Sequence, residues 1–350
     1  MGNYQYQVDS ALRVLNNTLS GNYIAGVVAA APGAGKTQIS FIYINEYVRK
    51  FPNAKVLVLT HNMNVLKNQY LNDLANAHVR IDFTFGDFRT QNVQVKVGIP
   101  ASIKNLDWTK IDLLVVDEAH EYWGEKMVTD IYKRLAPNHV LLLTGSPSSF
   151  IMHNHAVDRV YKNNRKYFID FIAGSDLAKN DVFASVTLDC IDSGETTAQS
   201  LENALNRAKA QGYDMSKIMI ACANTEQANI VSYQMGIRGR KVALSTSNND
   251  SDSAEFEAFL KGEKDVLVVV RRGILGFSDN NLSLVIDMKC SPDLDTRNQL
   301  FARVLRKSPK GIKKAYITVP SKDKVKGEVA MLRKLVDFMK RENFSTYLGV

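Results

Sequence analysis

The chain has 350 residues, room for two domains at roughly 150 residues each. Hydrophobic residues make up 45% and charged residues 23%, and no apolar run approaches the roughly 18 to 20 residues that span a bilayer, so composition points to a soluble globular protein and away from a membrane. The formal net charge is +8, and its excess is local: from Arg303 to Glu342, thirteen Lys or Arg stand against four Asp or Glu.

Met1–Ser20 is polar and periodic, unlike a signal peptide, and Gln7–Leu19 reads as a helix with Val8, Ala11, Leu12 and Leu15 on one face. Ile24–Ala30 is a short buried strand, and Lys36–Arg49 is helical. Lys55–Thr60 is a second strand, followed by a helix from Asn62 to about Ala77. Strands are expected at Val79–Phe85, Val93–Val97, Asp112–Val116 and His139–Thr144, with a helix between Trp123 and Ala136. Strands buried on both faces and alternating with helices imply a parallel sheet with crossover connections.

Ser146–Asn180 has weak periodicity and reads as interdomain sequence. Alternation then resumes. Strands are expected at Val182–Cys190, Lys217–Ala223, Lys241–Ser245, Val266–Val270, Leu284–Met288 and Ala315–Val319. Helices are expected at Thr197–Gln211, Thr225–Met235, Asp252–Lys261, Thr296–Arg306 and Lys322–Arg341. The division is therefore 1–150, an interdomain stretch 151–180, and 181–350. Cys190, Cys222 and Cys290 are far apart and lack CxxC or Cys/His spacing, which indicates reduced thiols in a cytoplasmic protein without a zinc site. The basic segment after Arg303 fits either a surface for DNA or RNA or the solvated face of a C-terminal helix.

The first strand runs into Ala31-Pro32-Gly33-Ala34-Gly35-Lys36-Thr37, where a helix begins. A strand, a Gly-rich loop and a helix in this order form a P-loop. Gly33 and Gly35 let backbone N–H groups, with that of Ala34, wrap phosphates without an intervening Cβ. The helix N-terminus adds partial positive charge. Lys36 is expected on the β- and γ-phosphates of ATP, and Thr37 on Mg²⁺. Ala30 stands where the first glycine of the motif is usual. The strand Ile111–Val116 ends in Asp117-Glu118-Ala119-His120. Asp117 suits the Mg²⁺ shell, through water, and Glu118 suits activation of the attacking water.

Asp-Glu-Ala-His after a P-loop resembles the DEAH box of superfamily 2 helicases. That resemblance implies two tandem RecA-like domains, each a mostly parallel sheet flanked by helices, and an ATPase stimulated by nucleic acid. It extends over nearly the whole chain. Thr144-Gly145-Ser146-Pro147 resembles motif III, whose Thr144 and Ser146 would couple nucleotide state, with His120, to domain closure. Val56–Thr60 and His61 resemble motif Ia, which implies backbone contacts by Thr60 and His61. Tyr6-Gln7 resembles the pair that reads adenine, and Tyr4-Gln5 has the same form.

In the second half, Gln299-Leu300-Phe301-Ala302-Arg303-Val304-Leu305-Arg306 resembles motif VI, with Ala302 in place of glycine. Arg303 and Arg306, three apart on a helix, would share one face and meet the γ-phosphate across a domain cleft, with Gln299 sensing phosphate or water. Arg271 to Asp279 resembles motif V, which implies a nucleotide contact at Gly276 and a nucleic-acid contact at Arg271. Ser278 and Asp279 both compete for its acidic position. Asn224 and Thr246 fall in segments resembling motifs IV and IVa, implying phosphate contacts; an ordinary strand end with Asn224 as a helix cap is the competing reading.

Within the superfamily, the wording of motifs V and VI is most similar to phage UvsW-type DNA helicases. This implies a monomeric motor on single-stranded or branched DNA or R-loops, working in a bacterial host's cytoplasm. A DEAH/DEAD-type RNA helicase and a duplex translocase that does not separate strands are the competing readings.

Overall fold

The computed structural model describes residues 4–31, 33–61, 64–145, 166–172, 177, 184, 186–246, 249–250, 254–270, 279–308 and 311–338. The chain divides into two compact units, one within 1–180 and one within 181–338.

In the first unit the elements follow the hydrophobic pattern. Helix α1 (Gln5–Leu19) buries Ala11, Val14 and Leu15. Strand β1 (Tyr23–Ala30) leads to helix α2 (Lys36–Lys50), and β2 (Val56–Leu59) leads to α3 (Asn64–Ala75). Then come β3 (Phe85–Asp87), β4 (Val95–Gly98), β5 (Leu113–Val116), α4 (Ala119–Tyr122), α5 (Lys126–Leu135), β6 (His139–Thr144) and β7 (Lys166–Ile172). The sheet order is β3-β4-β2-β5-β6-β1-β7, and every pairing is parallel. Strands such as Val-Leu-Val-Leu of β2 and Leu-Leu-Val-Val of β5 are buried throughout, as helices on both sheet faces require.

Three elements differ from the sequence expectation. Residues 79–84 form no strand. They are held to α2 through Asn45, whose side chain donates to the Arg80 carbonyl and accepts from Asp82 N at 3.1 Å. The helix expected over Trp123–Ala136 is broken at Gly124, with Glu125 in extended conformation capping α5. Part of the stretch expected between domains is β7, which pairs with β1; Asp170 on β7 binds Arg13 of α1 at 2.8 Å.

The second unit repeats the plan. It contains β8 (Val186–Cys190), α6 (Thr197–Ala210), β9 (Ile218–Ala221), α7 (Thr225–Ile237), β10 (Val242–Ser245), α8 (Ala254–Leu260), β11 (Val266–Val269), β12 (Leu284–Asp287), α9 (Leu294–Val304), β13 (Lys314–Thr318) and α10 (Val325–Phe338). The order β10-β11-β9-β12-β13-β8 is again parallel throughout. Each unit is a RecA-like domain, a parallel sheet flanked by helices.

Helix α9 ends at Val304, two residues short of the expected Arg306. The residue four beyond Leu305 is Pro309, which has no N–H to continue the ladder. The Leu305 carbonyl instead accepts from Ala184 N at 2.7 Å. Arg306 therefore lies outside the helix, and the single helix face expected for it and Arg303 does not form. No helix among the described residues is long and apolar enough to cross a membrane.

Candidate nucleotide site

The loop after β1 is shaped by two left-handed backbones, Gly33 at φ 91° and Gly35 at φ 79°. An L side chain is strained there, and a Cβ on Gly35 would lie 2.3 Å from Gln7 Nε2. Gly35 also occupies the N-cap of α2. It offers no capping side chain, and the first turn carries no acid. The Ala34 N–H donates to the Ala31 carbonyl at 3.0 Å, and the dipole of α2 with its uncapped first turn leaves this end suited to an anion.

The loop is braced from both sides. Gln7 Nε2 and Tyr6 Oη donate to the Ala34 carbonyl at 3.0 and 2.8 Å. Gln5 instead donates to Asp9 on the surface of α1, so of the two Tyr-Gln pairs only Tyr6-Gln7 reaches the loop. Within α2, Ser40 Oγ donates to the Thr37 carbonyl at 2.6 Å and lies 2.7 Å from the Tyr70 hydroxyl of α3. Nothing in the sequence marks Ser40 and Tyr70, because a serine and a tyrosine 30 residues apart carry no motif.

The acidic box lies at the end of β5, beside β2 and β6. Asp117 N donates to Leu59 O at 2.9 Å, which fixes the turn. Burial first, then the neighbouring Glu118 charge, pushes the Asp117 carboxyl up to about 6, while Lys36 and His61 pull it back. Lys36 of the loop and Asp117 of the box thus act on each other. Glu118 is buried and has a left-handed backbone at φ 47°, an unfavourable conformation for a non-glycine residue. Its Oε2 lies 3.6 Å from His120 Nδ1, and the same His120 nitrogen lies 3.1 Å from Thr144 Oγ1 at the end of β6. A polar chain therefore joins the acidic box to the neighbouring strand.

These residues fit ATP with Mg²⁺. A Cβ on Gly35 would meet the Gln7 amide, a lysine stands at the helix start, and a hydroxyl and a carboxylate supply the oxygen donors of a hard cation. Among the described residues no cluster of three His, Cys, Asp or Glu could hold a metal alone, so such a cation would share its shell with phosphate and water.

The other expected residues fall in varied settings. Thr60 is buried, and His61 packs its ring edge-on against Tyr122 with Nε2 3.3 Å from Glu121. In the second unit, Thr246 is buried and its hydroxyl donates to Asn249. Asn224 is exposed and caps α7, accepting from Gln227 N at 2.9 Å. Gln299 and Arg303 lie buried on α9, and Arg306 is half-buried. Ser146, Arg271, Gly276 and Ser278 lie outside the described residues.

Two residues before Gln299 is a buried cation that no motif foretold. Arg297 pairs with Glu328 of α10 through both guanidinium nitrogens, one of them at 2.7 Å. Its Nε donates to Ser291 O at 2.6 Å, and Asp287 lies 3.6 Å away. Asp287 also accepts from the Tyr316 hydroxyl at 2.8 Å. Burial pushes the Asp287 carboxyl up, and Arg297 opposes it.

Residues 1–149 match the family described as type III restriction enzyme, res subunit. No curated protein matches the chain by sequence. Among solved structures, S. cerevisiae Dbp5 bound to RNA and ADP BeF3 is 15% identical, with 93% of this chain and 87% of that one covered at a TM-score of 0.67. The Pyrococcus furiosus Hef helicase domain is 14% identical over 91% of this chain and 97% of its own, with a TM-score of 0.53. The helicase MrfA bound to DNA is 10% identical over 94% of this chain and 51% of its own, at 0.67. At these identities the likeness is one of fold alone, two RecA-like domains each built on a parallel sheet.

Proposed function

We propose that this chain is an ATP-hydrolysing motor that works along a nucleic-acid backbone, a helicase or translocase of the superfamily 2 type. The observation that carries the reading is the joined pair of sites in the first domain. The charge of Lys36, at the end of the glycine loop, opposes the rise of the Asp117 carboxyl, and the box that contains Asp117 is linked through Glu118 and His120 to Thr144.

In this reading Gln7 selects adenine, and the N–H groups of Gly33, Ala34, Gly35 and Lys36 hold the phosphates. Thr37 and, through water, Asp117 would hold Mg²⁺, which supplies charge neutralisation on the phosphate oxygens. Glu118 takes the proton of the attacking water. The water oxygen bonds to the γ-phosphorus, and the bridging oxygen leaves with its electron pair on ADP. Arg303 and Arg306 supply positive charge as that bond breaks, with Gln299 beside them. The His120–Thr144 bond, with Ser146, transmits the phosphate state. Gly276 contacts the nucleotide, and Thr60, His61, Asn224, Thr246 and Arg271 contact the nucleic-acid backbone.

Two substrate readings have separate support. RNA is favoured by likeness to Dbp5, whose structure is bound to RNA and of which 87% is covered by the likeness. DNA is favoured by the restriction-enzyme match and by MrfA bound to DNA. A UvsW-like action on branched DNA or R-loops rests on the wording of motifs V and VI. The test is ATP hydrolysis without nucleic acid, then with RNA, single-stranded DNA, forked DNA and an RNA–DNA hybrid at matched salt. Stimulation by RNA alone assigns an RNA helicase, and preference for forked or hybrid forms assigns the UvsW-like role. Absence of stimulation by all of them would overturn the proposal.

A further inference from the structure

Helix α10 and the turn before it carry a charge arrangement that the nucleotide site does not use. Among the described residues from 321 to 334, Lys322, Lys324, Lys326, Arg333 and Lys334 are exposed, and Asp323 is the one exposed acid. None of these five bases has an ion pair to a described residue closer than the usual limit for a salt bridge. The other acid of this stretch, Glu328, points inward and is spent on Arg297. Leu332 is buried with it, while α10 packs on α9 and β8.

The helical period explains the result. Lys326 and Arg333 are seven apart and Lys334 is eight from Lys326, so the three share a face. Glu328 and Leu332 are four apart and lie on the opposite side. The buried pair with Arg297 therefore fixes the rotation of α10 and withdraws its negative charge from the surface. A stripe of bases without interleaved acids matches the regular charge of a phosphate backbone and reads no sequence.

We propose that the outer face of α10 is an accessory nucleic-acid grip, in which Lys326, Arg333 and Lys334 bind backbone phosphates. The proposal rests on the motor reading above. It adds a contact surface outside every segment that the helicase motifs assign.

The test compares the full chain with a triple variant, Lys326→Gln, Arg333→Gln and Lys334→Gln. The control removes equal charge from exposed positions of α5, by Lys126→Gln, Lys133→Gln and Arg134→Gln. Binding to single-stranded DNA and RNA oligonucleotides is measured across a salt series, alongside the unfolding midpoint. Loss of three phosphate contacts should make the slope of log K against log salt shallower by about 2 and weaken low-salt affinity about tenfold or more. The α5 control should keep the slope of the unmodified chain. Equal slopes and affinities for both variants would overturn the grip while leaving the motor reading intact. An unmodified chain that binds neither oligonucleotide would remove both. Phosphatidylcholine vesicles containing phosphatidylserine form a last arm: a loss confined to vesicle binding would assign the face to a membrane instead.

Discussion

The two domains share a sheet plan but build their key residues by different means. In the first, backbone conformation does the placing: Gly33 and Gly35 of the loop and Glu118 of the acidic box all have positive φ. In the second, side chains do it: Arg297, Glu328, Asp287 and Tyr316 form a buried network two residues from Gln299. A backbone site can be open to solvent and still be rigid. A buried ionic site keeps its shape only while each charge has its partner. The first domain is thus arranged to receive a ligand, and the second to hold a helix in place.

Substitutions can break this contrast at graded strength. Lys36→Ala should lower ATP hydrolysis about 100- to 1,000-fold while the far-UV spectrum stays native, as expected when one preorganised cation is removed. A native hydrolysis rate would place the phosphate site elsewhere. Arg303→Ala should lower kcat by a similar factor, about 1,000-fold, with little change in nucleotide affinity. A rise in KM with kcat preserved would instead mark a ground-state contact.

Arg297→Met should act on stability, costing about 3–5 kcal/mol by urea unfolding, because Glu328 and Asp287 are left buried without their cation. Pairing it with Glu328→Leu should recover much of that loss, since Asp287 retains donors from Tyr316, Lys289 and Cys290. If the double variant is as unstable as the single one, the pair is not what fixes α10.

Thr144→Val removes the hydroxyl that meets His120. It should reduce nucleic-acid stimulation of the ATPase about five- to tenfold, with a smaller change in the unstimulated rate. Equal effects on both rates would reassign the bond to simple support of the acidic box. The smallest change is Asn224→Ala, which removes a helix cap and should cost about 1 kcal/mol. Unchanged nucleic-acid affinity in that variant would leave Asn224 as a cap alone.

What the sequence discloses follows the range of the interaction. The phosphate loop and the acidic box are each contiguous, so residue type and order reveal the local chemistry. Buried strands such as β5 and β11 are apolar throughout and equally plain. The Arg297–Glu328 pair spans 31 residues and joins two helices, so nothing local announces it. Strand β7 was hidden for a related reason: its partner β1 lies far upstream, and Asp170 and Lys166 interrupt its apolar pattern. The end of α9 has a local cause in Pro309, which the helical spacing of Arg303 and Arg306 does not reveal. The inward turn of Thr60, His61 and Thr246 depends on partners such as Tyr122 and Asn249, which only the folded chain supplies.

The order of strands in the first sheet bears on synthesis. Strand β1, which leads into the glycine loop, is made before the other strands of its sheet, yet its two neighbours are β6 and β7, the last strands of that sheet. Through most of translation of this domain β1 has no lateral partner, and it must wait for residues 139–172 to leave the ribosome. A nascent chain stopped after β6 would still expose one whole margin of β1 as an unpaired edge, open to pairing with another chain. The nucleotide site can therefore assemble only late on the growing polypeptide, and fragments ending near residue 149 should be more prone to aggregate than those that include β7.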